Sequence, residues 1–105
     1  MKESAFGISD VALERVRAVL ARYPEVDCAI VYGSRAKGNF KPGSDIDLTL
    51  KGARLTNTHL LTIMREMDDL LLPYRIDLSL FQAIENPDLV THIERIGKPL
   101  FVREC

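Results

Sequence analysis

The sequence predicts an α/β or α+β domain built on a small sheet. Three observations predict it. Apolar residues recur at helical spacing in three stretches, each opened by a capping residue. Between them lie short runs that are apolar throughout or alternate apolar with polar, as strands do. The two kinds of stretch interleave as helix, strand, strand, helix, strand, helix. A length of 105 residues, 47% of them hydrophobic, suits one domain over 1–105 with a single modest core.

The first helix is expected from a cap at Ser9 or Asp10 to about Tyr23, with Val11, Val16, Val19 and Leu20 as its apolar stripe and Pro24 closing it. Asp27 to Tyr32 is a nearly continuous apolar run, the pattern of a strand buried on both faces, and Gly33 breaks it. A turn region rich in Gly, Pro and Asn runs from Gly38 to Ser44. From Asp45 to Leu50 the chain alternates strictly. Asp45, Asp47 and Thr49 share one face, and Ile46, Leu48 and Leu50 the other. A second helix, capped by Thr56 or Asn57, is expected to bury Leu60, Ile63, Met64, Met67, Leu70 and Leu71 before Pro73 stops it. Tyr74 to Leu80 alternates again, with Ile76, Leu78 and Leu80 opposite Arg75, Asp77 and Ser79. Asn86 caps the last helix, with Pro87 at its first position and Gly97 just beyond its end. Pro99 to Val102 reads as a short terminal strand.

Composition excludes several function classes. A net charge of −1 gives no global attraction to nucleic acid or to an anionic membrane. Lys and Arg are dispersed, so transfer to RNA or DNA ends is not expected. No apolar run approaches the ~20 residues that span a bilayer. Met1 to Ser4 lack the apolar core of a secretory signal, so the expected compartment is the cytoplasm. Cys28 and Cys105 are expected as two reduced thiols. His59 and His92 have no metal-ligand spacing to them or to each other, and both are expected on helix surfaces.

Two motifs carry chemistry. Gly33-Ser34-Arg35-Ala36-Lys37-Gly38 leaves an apolar strand through a glycine, which allows a tight turn and close approach to a ligand. If the chain enters a helix at Ser34 to Lys37, its free N–H groups and the Ser34 hydroxyl converge on one point suited to phosphate. Arg35 and Lys37 add charge-assisted bonds to a polyphosphate. Ser44-Asp45-Ile46-Asp47-Leu48 then sets two carboxylates at i and i+2 of a strand, pointing the same way, where both can ligate a hard cation such as Mg²⁺. Asp77 lies between Ile76 and Leu78 in a strand, where a carboxylate is costly unless paired or metal-bound. Three such carboxylates repel one another unless cations neutralise them, which points to two Mg²⁺ ions around a nucleotide.

Gly33-Ser34, ten residues, then Asp45-x-Asp47, with Asp77 on a later apolar strand, resembles the DNA polymerase β-like nucleotidyltransferase superfamily. More narrowly, Gly-Ser-Arg-Ala-Lys-Gly with Ser-Asp-Ile-Asp-Leu is similar to the minimal nucleotidyltransferases (MNT), antitoxins found beside HEPN-domain toxins. The resemblance implies a polymerase β palm-like fold, a mixed sheet with helices packed on one side. It implies Mg²⁺ and a nucleoside triphosphate, usually ATP, with AMP moved to a tyrosine hydroxyl of the partner toxin. By that resemblance Gly33 and Ser34 bind phosphate, Asp45, Asp47 and Asp77 hold metal and catalyse, and Arg35 and Lys37 touch nucleotide or partner. About 25 residues follow the third Asp strand, too few for the second helical domain of larger relatives, so a toxin or another copy of the chain is expected to complete the site. Two other functions compete: an antitoxin that neutralises by docking alone, and transfer to a small-molecule hydroxyl.

Overall fold

The computed structural model describes residues 5–41 and 43–104. Helix α1 (Asp10–Ala21) starts at Ser9, whose side chain accepts the Ala12 N–H at 3.2 Å. Its buried arc comprises Ala12, Leu13, Val16, Val19 and Leu20. Val11, expected on that arc, is 61% exposed. At about 100° per residue it falls well outside the sector its neighbours share.

Strand β1 (Cys28–Tyr32) passes through Gly33 into the short helix α2 (Ser34–Lys37), and β2 (Ile46–Lys51) returns antiparallel to β1. Helix α3 (Asn57–Asp69) is capped by Thr56, whose side chain accepts the His59 N–H while the Thr56 N–H donates to His59 Nδ1. His59 therefore works as part of a helix cap. Strand β3 (Ile76–Leu80), helix α4 (Pro87–Ile96) and strand β4 (Lys98–Val102) complete the chain. The sheet order is β3-β2-β1-β4, with β2 and β3 parallel and the other pairs antiparallel. This is the mixed sheet the sequence resemblance implies.

The core lies where α1 and α3 meet the sheet face of Ala29, Val31, Ile46, Leu48 and Leu50. Each fully buried aliphatic side chain contributes roughly 1.5–3 kcal/mol relative to exposure. Ile46, Leu48 and Leu50 are all buried, so β2 is clamped at every second residue and the direction of Asp47 between them is set. Two expected core residues of the α3 region lie outside it. Met64 is half-exposed, at the margin of the arc centred on Ile63 and Met67. Leu71 follows the helix end with φ 53°, a left-handed turn that points its side chain outward, and it is 88% exposed.

Helix α4 approaches the other side of β1, where Gly97 abuts Ile30 so closely that a methyl group on it would overlap that side chain. Cys28 is disulfide-bonded, which corrects the expectation of a reduced thiol there. β4 brings Val102 opposite Cys28, a proximity that separation along the chain conceals. Cys105 lies outside the described residues. No helix among the described residues is long and apolar enough to cross a membrane.

Candidate active site

Gly33 has φ 75° and ψ −153°, a conformation open essentially only to glycine. It lets β1 turn sharply into α2, where Lys37 N–H donates to Gly33 O at 3.1 Å and Gly38 N–H to Ser34 O at 2.9 Å. The turn lies directly against β2: a methyl group on Gly33 would overlap Asp47 Oδ2. The glycine turn and the Asp motif thus form one site.

Asp47 is half-buried and pairs in register with Asp77 of parallel strand β3, while Asp45 stands exposed just before β2. Burial raises the pKa of the Asp47 carboxyl above its usual value, and the charges of Asp77 and Asp45 raise it further. His92 opposes this. Among the described residues no three His, Cys, Asp or Glu side chains are gathered to hold one ion, so the three carboxylates do not form the preassembled cluster the sequence suggested. The donor set is nonetheless all oxygen, with Asp47 and Asp77 side by side. That fits Mg²⁺, which is held by one or two carboxylates together with substrate phosphates and water rather than by an all-protein cage.

Arg35 and Lys37 do not act together. Two positions apart on a helix, they face different ways. Arg35 is 3% exposed. Its Nε and Nη2 donate to Ser44 O at 3.1 and 2.8 Å, and Nη1 to Phe6 O at 2.9 Å. The guanidinium also lies over the rings of Phe40 and Tyr74. Expected at the nucleotide, Arg35 instead fixes the loop that delivers Asp45. Its planar fork suits that task, and a lysine would not reproduce it. Lys37 is exposed and lines a cleft of about 350 Å³ between α2 and α4, with Asp88, Thr91, His92, Arg95 and Ile96.

His92 is the site residue that the sequence reading missed. Its Nε2 accepts the Gly33 N–H at 3.1 Å, and its ring meets Tyr32 edge-on at 6.2 Å. The Gly33 N–H, expected to await phosphate, is therefore engaged. Tyr32 packs into the same corner. Burial raises its phenol pKa against a hydrogen bond to Ser79 that lowers it, and the charges of Asp47 and Asp77 add to the rise. Tyr32 therefore stays protonated at neutral pH. His92→Ala should cost about 1 kcal/mol of stability, the usual worth of one such bond, and accelerate amide hydrogen exchange at Gly33. Unchanged exchange at Gly33 would mean the bond does not restrain the turn.

Residues 14–104 match the family described as polymerase beta, nucleotidyltransferase. No curated protein matches the chain significantly. Among solved structures, a toxin–antitoxin with AMP-PNP is similar at 20% identity and a TM-score of 0.69, covering 87% of this chain and 73% of that one. A tri-AMPylated HEPN toxin in complex with MNT antitoxin, from Shewanella oneidensis, is similar at 17% identity and a TM-score of 0.67, covering 91% and 74%. The toxin–antitoxin MntA–HepT is similar at 18% identity and a TM-score of 0.65, covering 90% and 74%. At these identities the likeness is one of fold.

Proposed function

Because the chain belongs to the polymerase beta nucleotidyltransferase family, we propose that it moves AMP from ATP to a hydroxyl group, a tyrosine on a partner HEPN toxin, which it thereby silences as an antitoxin. The observation that carries this reading is the contact between the Gly33 turn and the Asp47 carboxylate, with Asp77 in register beside it. Phosphate-binding backbone and metal-binding carboxylate meet where an α-phosphate would react. The AMP-PNP and the AMPylated toxin named for the similar structures support the nucleotide and the acceptor.

The residues divide the work as follows. Ser34 and the first N–H groups of α2 hold the phosphates, and Asp45, Asp47 and Asp77 hold Mg²⁺. When bound, Mg²⁺ neutralises phosphate oxygens and makes the incoming hydroxyl more acidic. Asp77 is exposed on the edge strand, facing the direction from which an acceptor can approach. It orients the hydroxyl and takes its proton. The hydroxyl oxygen bonds to the α-phosphorus, the bond from that phosphorus to the bridging oxygen breaks, and pyrophosphate leaves. In-line positioning supplies much of the acceleration. With Asp77 at an open edge, a second chain completes the wall around the acceptor.

The test uses ATP labelled at the α-phosphate, Mg²⁺, the purified chain and lysate of its native host. Asp45→Asn/Asp47→Asn runs alongside. Label should enter one protein band, and should be absent with the double variant and with γ-labelled ATP. ATP binding without any labelled protein would leave docking alone or a small-molecule hydroxyl. An Asp77→Asn chain that still neutralises its partner would favour docking.

A further inference from the structure

The cleft between α2 and α4 is not used by the chemistry above. Five of its six lining residues are polar or charged, and only Ile96 is apolar. Lys37 and Arg95 face it from different helices. The ion pairs among the described residues join Arg22 to Glu66 and Glu25 to His59, so neither Lys37 nor Arg95 has a carboxylate partner there. Asp88 lines the same cleft without pairing with either cation. Two unpaired cations around one concavity concentrate positive potential and favour a multiply charged anion.

The position of the cleft says which anion. His92 lines it and at the same time accepts the Gly33 N–H, while Gly33 touches Asp47 on its other side. Asp47, the Gly33 turn and the cleft therefore lie in sequence. A phosphate chain whose reacting end is at the carboxylates and whose middle crosses the turn ends in the cleft.

We infer that the α2–α4 cleft seats the distal phosphates of the nucleoside triphosphate, with Arg95 and Lys37 as their cationic contacts. The inference rests on the nucleotide reading above and adds Arg95, on a helix no motif marks, to the substrate-binding residues. Arg95 carries the recognition because its planar fork can hold two phosphate oxygens at once. It distinguishes a triphosphate from a monophosphate and holds the leaving pyrophosphate as its charge develops.

The experiment compares dissociation constants of ATP, AMP and inorganic tripolyphosphate, each with Mg²⁺, by titration calorimetry on the full chain. Arg95 is exposed, so Arg95→Gln should fold as wild type, checked by its thermal melt. Losing a charge-assisted phosphate contact should weaken ATP and tripolyphosphate roughly tenfold to a hundredfold and leave AMP unchanged. Asp88→Asn, which removes the one anion in the cleft, should tighten ATP. If wild type binds ATP and Arg95→Gln weakens ATP and AMP equally, or neither, the cleft assignment falls and the nucleotide reading stands. If wild type binds no nucleotide, both fall.

Discussion

Asp47→Asn is expected to abolish nucleotidyl transfer and to raise the melting temperature of the metal-free protein at neutral pH. The loss should be on the order of a thousandfold or more, because a metal-holding carboxylate supports several kcal/mol of charge stabilisation in the transition state. The gain in stability follows from the raised Asp47 carboxyl. Burial, Asp77 and Asp45 all disfavour its charged form in the fold. Between the ordinary carboxylate pKa and this raised value, the folded chain holds the proton more tightly than the unfolded chain does. Its contribution to stability is thus present at low pH and lost as pH rises through that window. Asparagine has no charge to bury. The melting temperatures of wild type and variant should therefore diverge as pH rises from the acid side and stay apart at neutrality. Adding Mg²⁺ should raise the wild-type value and narrow the gap. Thermal melts with and without Mg²⁺ across this range check it. A variant less stable than wild type at neutral pH would show that Asp47 holds the fold together rather than straining it. If both outcomes are observed, Asp47 is a residue that costs the empty fold stability and serves the reaction, a common trade of stability for activity.

Gly33→Ala is expected to damage both fold and function. Its φ 75° and ψ −153° are strained for any side chain, at about 1–3 kcal/mol. The new methyl would also overlap Asp47 Oδ2. The carboxylate must rotate away or the turn must shift, and either change separates the glycine turn from the carboxylate. Transfer should fall by roughly a hundredfold, as for a misplacement of about 1 Å in a positioned site. Urea unfolding should show a loss of about 1–3 kcal/mol. ATP binding measured on the remaining folded protein separates the two effects. Wild-type affinity and transfer at reduced stability would mean that the close approach to Asp47 does not matter to the reaction.

Most elements were legible in the sequence because their signals are local. Caps at Ser9, Thr56 and Asn86 and the alternation through Asp45–Leu50 and Tyr74–Leu80 fall where the helices and strands begin and run. Leu71 was misplaced because periodicity assumes the helix continues, whereas the chain turns left-handed at that residue. Arg35 was misread for a different reason. A cation beside a phosphate-type turn carries no mark of direction, and its partners, Phe6 and Ser44, come from segments on either side.

By itself, then, the sequence determined the order of elements, the glycine turn, the two strand carboxylates Asp47 and Asp77, and Asp45 at the entry to β2, all through residue type and short-range spacing. Only the tertiary structure decided which of these groups meet. The parallel pairing of β2 with β3 put Asp77 beside Asp47. The docking of α4 brought His92 onto Gly33 across 59 positions and placed Arg95 with Lys37 in one cleft. Such contacts depend on how a helix is rotated and seated against the sheet. That is settled by burial of residues such as Ile93 and by the close approach of Gly97 to Ile30, and not by anything periodic in the chain.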